Sequence, residues 1–303
     1  MKKVLTGNEA IARGAFEAGV KVAAAYPGTP STEIMETIGK EYKTIYAEWA
    51  PNEKVAMEVA VGASMAGARA MASMKHVGVN VAADPLMTLS YVGVNGGFVL
   101  ITADDPELYS SQNEQDNRHY ARFAKIPMFE PSDSQEAKDF VKLGFEVSEK
   151  FDTPVMVRSV TRISHSKGIV TMEDPVTPPI PVEVRKQTQK YTMLPSFARI
   201  KHGVVEERHL KLVEFAEQFP GNRMEINDPS VGIITAGISY QYAKEVYPNY
   251  SFLKLGMVWP LPKNLIGEFF KKVKKVYVVE ELDPFLEDSI RAMGFKPKGG
   301  KGV

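Results

Sequence analysis

The residues best suited to chemistry are Glu53, the turn YPGTP (Tyr26–Pro30), His76 and Arg118. Glu53 opens a run, Val55 to Met74, in which almost every residue is Ala, Gly, Ser, Val or Met. Side chains that small let a helix approach a neighbour or a ligand closely. An acid at the mouth of such a run is a candidate proton carrier, and equally a first-turn carboxylate complementing the helix dipole. Glu48 and Glu58 are rival acids; Glu58 lies off the face shared by Glu53 and Met57 and reads as a surface residue. In YPGTP, Thr29 and Ser31 offer hydroxyls and free N–H groups to an anion, or form a plain Pro/Gly turn with an N-cap. His76 sits at the end of an apolar run, as a cleft residue or a structural one. Arg118, in SSQNEQDNRHYAR, is the local candidate for clamping a substrate carboxylate. No GxxxxGK[ST], GxGxxG or GxSxG pattern occurs, and no His/Asp/Glu group has metal-ligand spacing.

These residues need elements to carry them. The spacing predicts a helix after the cap Thr6-Gly7-Asn8-Glu9, ending at Gly19, then a strand over Val22–Tyr26 and a helix capped by Ser31 or Thr32. Strands are expected over Lys43–Trp49, Ala72–Val77, Phe98–Asp104, Pro127–Pro131 and TPVMVRSV. Helices are expected over Lys54–Ala70, Asp84–Gly93 and Ser132–Phe151. Apolar strands alternating with helices imply a parallel sheet covered on both faces, here residues 1–165 as one doubly wound α/β domain. Residues 166–228 are rich in Pro, Thr and charge and read as a linker with one helix, Gly203–Phe219. A smaller α/β domain is expected over 229–303, with strands in VGIITAG, SFLKLGMV and VYVVEE.

Composition bounds the function. The 37 basic and 37 acidic residues cancel, which gives no field to attract nucleic acid or a membrane surface. With no cysteine, this chain holds no disulfide, thiolate zinc site or Cys-ligated iron–sulfur cluster. MKKVLTGNEAIARG has no apolar core of a signal peptide, and the expectation is a cytoplasmic protein.

The segments TGNEAIARGAFEAGV, AAAYPGTPSTEI, NEKVAMEVAVGASMAGARAM, MKHVGVNVAADPL, SSQNEQDNRHYARFAKIPMFEP and VVEELDPFLED resemble the large subunit of indolepyruvate ferredoxin oxidoreductase. That family belongs to the thiamine-diphosphate-dependent 2-oxoacid:ferredoxin oxidoreductases, and the likeness runs along essentially the whole chain. It implies a pyrimidine-binding domain followed by a transketolase C-terminal-like domain. By the same resemblance Glu53 hydrogen-bonds the cofactor's aminopyrimidine. Pro27, Thr29 and His76 lie near the cofactor, and Thr29, His76 and Arg118 near the substrate. The implied reaction is oxidative decarboxylation of aryl 2-oxoacids to aryl-acetyl-CoA. The family's diphosphate-binding and ferredoxin-like domains have no counterpart before Val303. The resemblance therefore implies a subunit or fragment, inactive alone, within an oligomeric assembly. A missing domain or partner chain would hold Mg2+ and the iron–sulfur clusters, beside a second (beta) subunit, ferredoxin and coenzyme A. The alternatives are another thiamine-diphosphate oxidoreductase or decarboxylase, for pyruvate, 2-oxoglutarate or a branched-chain oxoacid, and a non-catalytic assembly module.

Overall fold

The computed structural model describes residues 1–180 and 187–299. In chain order the elements begin β1 (Lys2–Thr6), α1 (Gly7–Glu17), β2 (Val22–Ala25), α2 (Thr32–Glu41), β3 (Tyr46–Trp49) and α3 (Glu53–Met65). They continue with β4 (Ala70–Lys75), α4 (His76–Val81), α5 (Ala83–Val92), β5 (Phe98–Asp104) and α6 (Arg118–Ala124). Next come β6 (Met128–Phe129), α7 (Ser134–Phe151), β7 (Val155–Val160), α8 (Thr161–His165), β8 (Lys167–Thr171), α9 (Thr188–Tyr191) and α10 (Pro195–Ala216). The remainder is β9 (Arg223–Glu225), β10 (Asp228–Ala236), α11 (Gly237–Val246), β11 (Tyr250–Leu255), β12 (Met257–Trp259), α12 (Lys263–Lys272), β13 (Val276–Val279) and α13 (Phe285–Ala292).

Seven strands form the main sheet in the order β12-β6-β7-β5-β4-β2-β3, parallel except for β12. All seven residues of β5 are buried, as a continuous apolar run at the centre of a covered parallel sheet requires. Its side chains alternate between two cores. Val99 and Ile101 join α1, α2 and α7 on one face, while Phe98 and Leu100 join α3, α4 and α5 on the other. A second sheet, β13-β10-β11-β9, carries Ile233 and Phe252 against Tyr240 of α11, and Ile234 and Leu253 against α12 and α13.

Local chemistry sets the element ends. Thr6 and Glu9 form a reciprocal capping box at α1. Asn52 caps α3 by accepting from the Val55 N–H, and Asp133 caps α7 through Glu136. The structure shortens the expected Lys54–Ala70 helix to Met65, because Ala70 already belongs to β4. Residues 166–228 hold more than one helix: β8 pairs antiparallel with β1, β9 pairs with β11, and α9 precedes α10. The SFLKLGMV strand divides at Gly256, and Met257–Trp259 crosses to the edge of the main sheet. No helix among the described residues is long and apolar enough to cross a membrane.

Candidate cofactor and substrate site

From β2 the chain runs outward to β3, then returns to the other side of β2 as β4. In an open parallel sheet such a reversal leaves a crevice beyond the carboxyl ends of the two strands. Pro27–Thr29 follow β2 there, Glu53 follows β3, and Lys75 ends β4 with His76 directly after it. The structure thus brings together Glu53, Pro27, Thr29 and His76, residues far apart in the chain.

The turn after β2 is tightly braced. The Gly28 N–H donates to Thr32 Oγ1 (2.9 Å), Ser31 Oγ donates to Gly28 O (2.8 Å), and Asn8 Nδ2 donates to Pro30 O (2.7 Å). Ser31 is the α2 N-cap by position, but its hydroxyl is spent on this turn rather than on the helix. Pro27 and Thr29 are left exposed.

Glu53 is half-buried at the first position of α3, and its carboxylate has no hydrogen-bond partner among the described residues. Room for it comes from Gly78 on α4. A Cβ there would lie 2.8 Å from both Glu53 Cγ and Oε1, and 3.0 Å from Met74 Cβ. Glu58 is exposed, as its spacing implied.

His76 is wholly buried as the first residue of α4 rather than the end of a strand. Its Nε2 lies 3.0 Å from Asn113 O, a group that only accepts, so Nε2 carries the proton and Nδ1 is an acceptor. Nδ1 is buried without a partner. The stem of Lys75 crosses the turn, where a Cβ on Gly28 would meet its Cδ and Cγ at 3.0 and 3.1 Å. Its Nζ donates to Ser110 O (3.0 Å), and Ser110 Oγ donates to Thr29 O (3.3 Å). Asp105 anchors that loop, accepting from Ser110 N, Ser111 Oγ and Thr161 Oγ1. Burial opposes its charge, but these donors outweigh burial and hold its carboxyl below the usual range.

Arg118 departs from expectation. It is 1% exposed, and each of its guanidinium nitrogens is already engaged. Nε donates to Asp116, Nη1 to Glu280 Oε2 (2.6 Å), and Nη2 to Glu281 O (2.8 Å) and Asp283 O (3.0 Å). Buried and already paired with two carboxylates, it ties the polar loop to the turn after β13. Beside it Arg158 bridges Asp104 (2.7 Å) and Glu130 (2.8 Å). Burial would raise the pKa of Asp116, yet Arg158 and Arg118 outweigh it and hold that carboxyl at about 2. Asp104 goes the other way, pushed up by complete burial against the pull of Arg158.

A cavity of about 380 Å³ opens nearby, between the 106–116 loop and Glu281–Asp283. Its carboxylates, Glu107, Glu114, Asp116, Glu281 and Asp283, make it a poor seat for an anion. Asp116, His119 and Asp283 bring ligand atoms within 4.8 Å of one another, but Asp116 is committed to Arg118.

The family model for the pyruvate flavodoxin/ferredoxin oxidoreductase, thiamine diphosphate-binding domain matches residues 13–214. The chain belongs to this family. It is 50% identical to an indolepyruvate oxidoreductase subunit IorA of Archaeoglobus fulgidus, over 99% of this chain and 50% of that protein. To the subunit of the same name from Pyrococcus horikoshii it is 46% identical, over 97% of this chain and 47% of that protein. The chain thus spans about half the length of these curated relatives. A 2-oxoglutarate synthase subunit KorA of Archaeoglobus fulgidus is 25% identical over 92% of the chain and 87% of that protein.

Among solved structures, a 2-oxoglutarate:ferredoxin oxidoreductase from Magnetococcus marinus superposes with a TM-score of 0.79 at 17% identity. It covers 98% of this chain and 61% of that one. A split-gene transketolase superposes at 0.61 with 14% identity, covering 95% of this chain and 84% of that one. The fold is accordingly the expected α/β pair, a pyrimidine-binding unit with a smaller transketolase C-terminal-like unit.

Sequence reasoning missed Gly78 and Lys75. The signal for Lys75 was present, as the residue before His76 at a strand's carboxyl end. Gly78 fell between the expected strand Ala72–Val77 and the expected helix Asp84–Gly93, where a glycine reads as part of a turn; its place in α4 appears only in the structure.

Proposed function

We propose that this chain supplies the pyrimidine half of the thiamine diphosphate site of an aryl-2-oxoacid:ferredoxin oxidoreductase of the indolepyruvate type. The supporting observation is the identity of 50% to an indolepyruvate oxidoreductase subunit along 99% of the chain, against 25% to a 2-oxoglutarate synthase subunit. Residues 1–165 form the pyrimidine-binding domain in this reading, 166–228 the connection and 229–303 the C-terminal-like domain.

The crevice suits an aminopyrimidine ring. Glu53 offers a carboxylate with no protein donor among the described residues, and His76 Nδ1 a buried acceptor needing one. When bound, thiamine diphosphate supplies the nucleophilic carbon and electron sink for decarboxylating a 2-oxoacid. Glu53 holds the proton at the ring nitrogen, and Asn52 and Gly78 fix where its carboxyl lies. In this reading Pro27 and Thr29, on the braced turn, and the buried His76 would help to hold the cofactor.

Mg2+ with the cofactor's diphosphate, the iron–sulfur clusters, a second subunit, ferredoxin and coenzyme A belong to the rest of the assembly in this proposal. A chain without cysteine donates no thiolate to a cluster. The cytoplasm is the proposed compartment. The test is a substrate panel on the assembled oxidoreductase with a low-potential dye as electron acceptor. Indolepyruvate and phenylpyruvate are expected to turn over best, and turnover of pyruvate alone would refute the aryl reading.

A further inference from the structure

Every 2-oxoacid carries a carboxylate beside the carbon that reacts. Bringing that charge into a partly dry crevice calls for a cation with unused donors. The cations at this edge of the sheet can be compared one by one. Every guanidinium nitrogen of Arg118 is engaged, by Asp116, Glu280 and two carbonyls, and Arg158, although its Nη2 has no partner among the described residues, is wholly buried and ion-paired to Asp104 and Glu130. Arg162 lies exposed beyond β7 with its guanidinium 5.3 Å from the centre of the Tyr109 ring and Nη2 on the Tyr109 hydroxyl. Lys54 is paired with Asp84 on the surface.

Lys75 is set apart from Arg118, Arg158 and Lys54 by having no carboxylate partner, and from Arg162 by its place at the end of β4, against the turn after β2. Among the described residues its ammonium has no carboxylate partner and donates only to Ser110 O. Two of its three N–H donors are therefore open. Its stem is pinned against Gly28, which fixes the ammonium beside the turn that presents Thr29. Ser110 closes the arrangement by bonding both Lys75 Nζ and Thr29 O.

Resting on the 2-oxoacid reading above, we propose that Lys75 receives the substrate carboxylate, with the exposed Thr29 hydroxyl beside it. The two open N–H groups donate to the carboxylate oxygens while the third stays on Ser110 O. A single ammonium suits a carboxylate that must leave as carbon dioxide better than a bidentate guanidinium. Holding the departing group equally well before and during reaction lowers KM without raising kcat.

The test compares Lys75→Met, which keeps the stem over Gly28 and removes the charge, with Lys75→Arg in the assembled oxidoreductase. The readouts are KM and kcat for whichever 2-oxoacid the wild type turns over best, and thiamine diphosphate affinity by fluorescence quenching. Lys75→Met is expected to raise KM by about 10- to 100-fold. Cofactor affinity stays within twofold of wild type, and Lys75→Arg recovers most of the loss. An unchanged KM would overturn the assignment. So would a KM rise that tracks lost cofactor affinity and resists rescue by Arg, the pattern of a merely structural lysine. The wild-type panel judges the aryl reading separately. Turnover of pyruvate alone sinks that reading, while the KM comparison still decides Lys75 on pyruvate.

Discussion

Gly78→Ala isolates the placement of Glu53 from its chemistry. The new methyl would sit 2.8 Å from Glu53 Cγ and Oε1 and 3.0 Å from Met74 Cβ. Met74 is completely buried in β4 and has nowhere to go. Glu53 must therefore withdraw, by about 0.7 Å to reach an ordinary 3.5 Å contact. A charge-assisted hydrogen bond from a ring nitrogen, lengthened by that amount, falls outside bonding range. Losing such a bond costs about 1.5–3 kcal/mol, which is roughly 10- to 150-fold in kcat/KM. Stability should move little, because the gain of about 1 kcal/mol from replacing a helical glycine offsets the tight contact. The assay is 2-oxoacid-dependent dye reduction by the assembled oxidoreductase, with cofactor affinity and Tm measured in parallel. Glu53→Gln should lose at least as much activity, and adding Gly78→Ala to it should cost little more, since both act on one interaction. Full activity in Gly78→Ala, or additive losses in the double variant, would refute the reasoning.

Two further outcomes follow from the buried charges. Arg118→Lys keeps the charge but gives up the fork that joins Asp116 to Glu280, so Tm should fall by at least about 5 °C. The KM for the 2-oxoacid should stay put; a raised KM at unchanged Tm would return Arg118 to the substrate site. Asp116, held at about 2 against an ordinary 3.8, stabilises the fold fully above pH 4 and loses that contribution as pH falls through 2. Urea unfolding of wild type and Asp116→Asn should therefore differ most above pH 4, the gap shrinking by about 2 kcal/mol toward pH 2; a constant gap would refute it.

The central strands were legible because burial on both faces writes itself as an unbroken apolar run. Phe98–Asp104 was expected as a strand and is one at both ends. The α7 helix differs only at its start, where Ser132 and Asp133 serve as cap and brace. What escaped notice has little apolar content of its own. β1 and β8 are mostly exposed, and they pair with each other in a two-stranded sheet although the strands β2–β7 lie between them in sequence, as in Val4 opposite Ile169. β12 is three residues long, and its destination depends on Gly256, whose carbonyl accepts from Glu130 N at the edge of the main sheet.

The same distinction separates Arg118 from Lys75. Arg118 was read as free because its polar neighbours in sequence imply solvent, whereas Glu280 reaches it from 162 residues away. Lys75 passed unremarked because one lysine among 37 basic residues carries no local signal. A cation's availability depends on which acids the fold delivers to it, so periodicity, which reports only burial, could not rank the two. Glu53 shows the complementary case. Asn52 and the small-residue run already located it at a helix start, but the space its carboxyl occupies is made by Gly78, on a helix that arrives only after β4. A residue's chemistry can be read from its type and its immediate neighbours. Its freedom to exercise that chemistry is a property of the contacts made by distant ones.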